Sequence, residues 1–501
     1  MEKKTTGIKS CERIFCETRE HTIECDILLP DYYPEIEQVV SCTLFPTEEN
    51  ITLNGDKISV AGDACIRIVY TSADKTPAFI EHNVKYTKII PCGGTAEGDF
   101  CLVEQNTAAL QFKAVGPRKL EVRASVAIKS EIIRMLQSQV LCEADGDRME
   151  TDCVDSSYFE MQSLVRTKYE IKNTVSLPVS RDRVAAILVA QQELNLTDVR
   201  SASNKIMLKG TALISLNVLS KDGSVYKDLR YSLPFTEIKD AFGASEESDV
   251  NVCIRDLHVN TDLRAAAENE KDIALCVCFS ALFCAGKQKK ISYVRDAFSL
   301  VGKTDLSSAV LPVPESIRPV HCKADFGGSV LTESAIKEIL SVSVQNLQFV
   351  PNTQDQKINL NLFADLHLYY LDHEGTLCFT ERKITTDSDW DCMDDLLLFV
   401  SVEPHNIRAE KSDMQIDYSG TLSVEGFSAC CKQKSFLSDL EVLSSEQIGN
   451  EKLIAYYASA GERLWDIAKT YKTSVSSIAG SDLHDVDVLT EDKLLVFPSK
   501  I

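Results

Sequence analysis

Apolar and polar positions alternate with period two along most of this chain. In "KISVAGDACIRIVY", Ile58, Val60, Gly62, Ala64, Ile66, Ile68 and Tyr70 share one phase, while Ser59, Asp63 and Arg67 share the other. Successive side chains of a strand point to opposite faces, so this alternation predicts a half-buried β-strand. The same seven-position register returns at Ile206, Leu208, Gly210, Ala212, Ile214, Leu216 and Val218, and again at Ile358, Leu360, Leu362, Ala364, Leu366, Leu368 and Tyr370. Its first members, Ile58, Ile206 and Ile358, stand 148 and 152 residues apart. Ala occupies the central position of each copy, and a Gly precedes it in the first two. Runs this long exceed the usual strand of about five to six residues, which predicts a bend or bulge near that Gly.

Upstream of each run, "PEIEQVV" from Pro34, "RDRVAAILVA" from Arg181 and "TESAIKEILSV" from Thr332 read as short helices. Downstream, "KDG" at 221–223 and "DHEG" at 372–375 read as hairpin turns. "KYTKI" at 85–89 has its counterpart in "PFTEI" at 234–238, and each unit closes on another alternating run: "RKLEVRASVAI", "KDIALCVCFSA" and "DMQIDYSGTLSV". Strands that are apolar on one face must close against a second sheet. The expected fold is therefore mainly β: three tandem β-sandwich or open-barrel-like domains, each with a short helix, at 1–150, 151–305 and, diverged, 306–435. Polar and Pro-bearing stretches near 150–175 and 303–328, including "VLPVPESIRP", read as links between consecutive domains, and the sequence leaves open whether those domains pack together or string out. A linker at 436–450 then leads to a small module at 451–501.

In that tail the period changes. "LIAYYAS" is a strand candidate, and "GERLWDIAKTY" places Leu464, Ile467, Ala468 and Tyr471 at i, i+3, i+4 and i+7, one helical stripe. "TSVSSIAG" offers Thr473 or Ser474 as the cap of a second helix with Val475, Ile478 and Ala479 facing inward, and "KLLVFP" ends the chain as a strand. The order strand, helix, helix, strand is a two-layer βααβ unit.

Composition narrows the function. A chain of 501 residues, 44% hydrophobic, has the length for several cores, and its formal charge of -22 opposes attraction to nucleic-acid phosphates or anionic membranes. Partners are expected to be proteins, or neutral or basic ligands. No apolar segment follows the basic residues of the start, and "VAAILVA" and "LLLFVSV" fall short of the roughly 20 residues of a membrane span. A cytoplasmic protein without membrane insertion is expected. The 18 cysteines form no C-x-x-C pair and read as reduced, mostly structural thiols, as at Cys276 and Cys278.

Catalytic signatures are not found in the sequence, and no cofactor or metal is expected. Gly302-Lys303-Thr304 lacks the phosphate-loop glycine five residues earlier, where Ala297 stands, and reads as a plain turn. His367 falls on the polar phase of its strand and His373 in a turn, so both are expected in solvent. His321 beside Cys322 has no further ligand at metal spacing. The carboxylates of "MDDLLLF" and "EGDF" read as solvated faces.

The tail resembles a LysM domain through Gly461, Leu464, Trp465, Ile467, Ala468, Tyr471, Val475 and Pro498. The resemblance implies a core including Leu464, Trp465, Ile467, Tyr471 and Ile478. It also implies a binding surface for N-acetylglucosamine glycan or protein on two loops, here Ser459, Gly461, Glu462 and Arg463, and Ser481, Asp482 and Leu483. Glu462, Arg463, Asp482 and Glu491 replace the usual Asp, Thr, Asn and Gly. Loss of the Asn amide removes a hydrogen bond to a sugar, and a charge there costs desolvation. Glu462 and Arg463 are thus candidates for a protein contact.

The three repeats are similar to the SPOCS (DUF3794) domain through "LLPDYYPEIEQVV", "IRIVY", "LPFTEI" and "GPRKLEVRA". Three such domains before one LysM resemble the SipL-like spore coat morphogenesis proteins. That resemblance implies a non-enzymatic adaptor in the mother-cell cytoplasm. It would scaffold coat proteins and dock through its LysM end to the coat-basement ATPase SpoIVA at the forespore surface. The alternative is a peptidoglycan-binding protein of the cell wall or cortex.

Overall fold

The computed structural model describes residues 2–146, 148–222, 224–263, 269–354, 357–391, 396–445, 452–479 and 487–499. The chain is mainly β. Its first unit comprises β1 (Glu2–Leu28), β2 (Gln38–Asn54), β3 (Lys57–Thr71), β4 (Pro77–Pro91), β5 (Phe100–Gly116) and β6 (Lys119–Asp145). The second has β7 (Met149–Ser176), β8 (Val184–Ala202), β9 (Lys205–Ser220), β10 (Val225–Asp240), β11 (Asp249–Asp262) and β12 (Asp272–Ser299). The third has β13 (Gly302–Leu331), β14 (Ile336–Gln354), β15 (Lys357–Asp372), β16 (Leu377–Asp391), β17 (Leu396–Ser412) and β18 (Gln415–Ser445). The tail has β19 (Lys452–Ala458), α1 (Leu464–Thr470), α2 (Val475–Ala479) and β20 (Lys493–Ser499).

One pairing scheme recurs three times. The second, third and fourth strands form an antiparallel meander, β2-β3-β4, β10-β9-β8 or β14-β15-β16. The first, sixth and fifth strands form the facing sheet, β1-β6-β5, β11-β12-β7 or β13-β18-β17. The alternating runs are the central meander strands, and their inward phase fills each core: Ile58, Ile66 and Tyr70, then Leu208 and Leu216, then Leu360 and Leu366, all buried. The turns after β9 and β15 close through Ser220 to Ser224 and Asp372 to Thr376 backbone hydrogen bonds.

The glycines of these strands are explained by their cross-strand partners. Gly62 lies opposite Tyr86, and a Cβ on it would sit 2.5 Å from the phenol Cζ. Gly210 lies opposite Phe235, with the ring at 2.9 Å. In the third copy Leu362 lies opposite Thr386, so the large side chain has changed strands. The expected bulge forms, but in the neighbouring edge strand. Register shifts between Glu48 and Asn50, Leu196 and Asp198, and Gln345 and Gln348 face Gly62, Gly210 and the Phe363–Asp365 stretch.

Bulges also overturn the three short helices. "PEIEQVV" runs from coil into β2, "TESAIKEILSV" into β14, and "RDRVAAILVA" makes only one 3-10 turn, Arg181–Arg183, before β8. Each bulge slips the alternation by one residue, so inward positions fall three apart as on a helix. They are Ile36, Val39, Cys42 and Leu44; Val184, Ile187 and Val189; and Ile336, Ile339, Val342 and Val344. Hydrogen bonding to the central strand then decides against helix.

The expected links are strands as well. Residues 150–175 lie in β7 and 303–328 in β13, whose edge position tolerates Pro312, Pro314 and Pro319. Residues 436–445, expected as linker, continue β18 with Phe436, Leu437 and Leu440 buried. Each first strand skips one residue, Ile14, Gln162 or Glu315, where it crosses from its own sandwich into a projecting two-stranded ribbon.

Those ribbons pack the three units together. Three successive apolar layers each draw on all three units. One layer combines Cys11 and Ile133 with Phe159 and Leu282 and with Phe399 and Phe427. Another unites Ile8, Tyr158 and Phe436, and a third Leu141, Val294 and Leu440. A further cluster joins the meanders through Val69, Leu219 and Leu371. The units therefore close around a three-ribbon stalk. His367, expected in solvent, is 5% exposed because a neighbouring unit covers that face, and its ring meets Phe379 edge-on.

Polar groups lock the seams. Arg166 of the second unit pairs with Glu48 of the first and reaches Asp256 at 2.7 Å. Buried Arg255 pairs with Glu104 of the first unit and donates to the Val400 carbonyl of the third at 2.8 Å. Asn346 of the third unit exchanges two hydrogen bonds with the Thr107 backbone of the first, at 3.1 and 3.0 Å.

Candidate functional site

The sequence places its candidate residues in the tail, where helix and strand phases converge on one small core. β19 and β20 pair antiparallel, and Ile454, Tyr456, Ala458, Leu495 and Phe497 face the two helices. Leu464, Trp465, Ile467 and Ile478 are buried there, and Tyr471 lies against the Tyr456 and Phe497 rings. The Ser474 hydroxyl caps α2 by accepting the Ser477 N–H at 3.1 Å. Thr473 instead donates its hydroxyl to the Pro498 carbonyl at 2.7 Å, fastening α2 to β20.

The loop between β19 and α1 is laced from within. Gly461, at φ +95, donates its N–H to the Leu489 carbonyl at 2.8 Å, and the Leu489 N–H returns to the Glu462 carbonyl at 2.9 Å. A positive φ favours glycine, so this crossing accounts for that residue. The Glu462 carboxylate accepts the Ser459 N–H at 3.1 Å and the Tyr456 hydroxyl at 3.0 Å. Glu462 thus shapes the loop. Ser481, Asp482 and Leu483 lie outside the described residues.

Arg463 turns toward the second unit. Its guanidinium Nη2 reaches Asp152 of β7 and Asp487, each at 3.2 Å. The Trp465 indole N–H donates to Asp296 of β12 at 2.8 Å, and the Lys469 ammonium reaches both oxygens of the same carboxylate at 2.7 and 2.6 Å. Phe298 presses edge-on against Trp465, with ring centroids 5.0 Å apart, and Leu300 packs beside it. Burial pushes the Asp296 carboxyl up, but the Lys469 and Trp465 hydrogen bonds outweigh it and hold the group below the usual carboxylate range. Nearby, burial pushes the Glu150 carboxyl up while the Val475 backbone N–H opposes the shift.

Arg463, Trp465 and Lys469 are thereby brought together on one patch, and the second unit occupies it. Stacking a sugar on Trp465 would require that contact to open. Sequence reasoning missed the receiving residues Asp152, Asp296 and Phe298. The available signal was the apolar continuation "AFSLV" after "YVRD", which extends past the unit's own sandwich.

Among the described residues, no three His, Cys, Asp or Glu side chains converge as a metal-ligand set. Burial pushes the Cys42, Cys101 and Cys284 thiols up to about 12, which keeps them protonated and unreactive. No described helix is long and apolar enough to cross a membrane. No curated protein and no solved structure matches the chain. Residues 35–115, spanning β2 to β4 and nearly all of β5, match the family model of the SipL SPOCS domain.

Proposed function

We propose that this protein is a non-enzymatic adaptor of spore coat morphogenesis. Three SPOCS-type units form a rigid hub, and the βααβ tail is a LysM-type module that docks the hub to a SpoIVA-like coat-basement ATPase. Its place is the mother-cell cytoplasm at the forespore surface, where the hub gathers coat proteins. The observation that carries this reading is the SipL SPOCS match at residues 35–115, joined to a strand pairing that recurs three times ahead of the tail. A hub with several surfaces raises avidity for an assembling layer, and the charge of -22 selects against nucleic acid and anionic lipid.

The test is a pull-down with the purified coat-basement ATPase, using the full chain and a version ending before Lys452, with purified peptidoglycan sedimented in parallel. Retention of the ATPase by the full chain alone, with peptidoglycan ignored, is the expected result. Sedimentation of the full chain with peptidoglycan, and no tail-dependent ATPase binding, would move the function to the wall.

A further inference from the structure

The tail presents two sides, and the second unit takes only one of them. The register of β19 and β20 sets Leu453 opposite Pro498, Ala455 opposite Val496 and Tyr457 opposite Leu494. These six residues alternate away from the helices, and all are exposed and apolar. Leu453 is 77% exposed, Tyr457 65%, Leu494 59% and Val496 53%. A sheet face in water ordinarily turns polar at such positions. Six apolar side chains contiguous on one exposed sheet face form a patch of the kind that commonly serves as a contact site.

We infer that the outer face of the β19–β20 sheet is the docking surface, and that it takes an amphipathic helix of another protein whose apolar stripe is flanked by Lys and Arg. The dimensions fit. Seven-residue strands run about 23 Å, the length of a helix of about 15 residues. The charge follows from the exposed Glu491 and Asp492 just before β20 and from the net -22 of the chain. A second copy fits poorly. Each copy would bring the same negative charge to the contact.

The inference rests on the tail being a docking module and assigns the contact to its sheet face, away from Arg463. The experiment titrates the full chain with a fluorescent Leu/Lys amphipathic helical peptide of about 18 residues. Two control peptides run beside it, a Leu/Glu peptide of the same apolar pattern and a Leu/Lys peptide with its leucines scattered around the helix. Only the first is expected to bind, and Leu453→Gln with Leu494→Gln, which leaves the charge unchanged, is expected to weaken it at least tenfold. Unchanged Trp465 emission, read in a Trp390→Phe background, shows that the module is still folded.

Equal binding by the variant overturns the proposal. If Arg463→Glu abolishes binding while the sheet variant binds normally, the docking-module reading stands and this one falls. Binding that survives both variants removes the tail from docking altogether. A dimer in sedimentation that the sheet variant dissolves makes a second copy the occupant and likewise overturns the inference.

Discussion

The two kinds of seam in this molecule are built differently. Along the stalk, Phe399, Phe427 and Leu282 interlock with the other units, and Arg255 lies buried between Glu104 and the Val400 carbonyl. At the tail, one indole, one ring edge and four charged groups meet at the end of a single ribbon, with Lys469 and Arg463 partly in solvent. A buried charge that loses its partner is costly, whereas a partly exposed pair is weak. The stalk is therefore a permanent joint, and the tail is the part that ordinary changes in condition can release.

The largest expected effect breaks the permanent joint. Arg255→Ala strands Glu104 in the seam, although Lys129 lies 3.7 Å away, and should cost about 3–5 kcal/mol. The expected readout is a large drop in denaturation midpoint. Arg255→Met combined with Glu104→Leu, which removes both charges, should recover most of that loss. A double variant as unstable as Arg255→Ala would mean that the seam depends on packing around the guanidinium stem and not on its charge.

A smaller effect separates the units by pH. Burial, then Glu425 beside it and Glu193 of the second unit, push the Glu403 carboxyl of β17 up to about 7. Because the folded value is raised, the stabilising protonated form is fully present below the usual carboxylate range and is lost as pH rises through about 7. Glu403→Gln should therefore match the parent at about pH 4 and be the more stable chain at about pH 8, measured by thermal unfolding. Identical pH profiles would place Glu403 in water.

How much of this contrast was legible depends on which side chains signal burial. The seven-position runs were read correctly because inward positions such as Ile66 and Leu366 alternate with Arg67 and Asp365. The stalk and the meander seam leave a weaker mark, consecutive apolar residues where both faces are covered: "IVY" at 68–70, "ALFCA" at 281–285 and "LYYL" at 368–371. The false helices came from bulges, whose spacing of three imitates a helical turn. In the tail, the α1 stripe follows from period, and the burial of Trp465 from its place in the LysM-like pattern together with its helical phase. Asp296 and Asp152 do not, since nothing local distinguishes them among 75 acidic residues.

The smallest effect concerns the releasable seam. Asp296→Asn keeps an acceptor for the Trp465 indole but removes the charge that faces Lys469, a group about two-fifths exposed, so the loss should be about 1 kcal/mol. That corresponds to about a fivefold rise in the open population, read as faster amide exchange in α1 and a red-shifted Trp465 emission in a Trp390→Phe background. The parent should show the same release in acid. Its Asp296 is held below the usual carboxylate range, so the docking contribution is complete above that range and disappears as pH falls through the docked value. The Asn variant has no such proton to take up, and its protection, taken relative to the intrinsic exchange rate at each pH, should be flat over the same interval. Should parent and variant exchange alike at neutral pH, Phe298 and Leu300 hold the module by themselves, and the contrast between the two seams is one of size and not of chemistry.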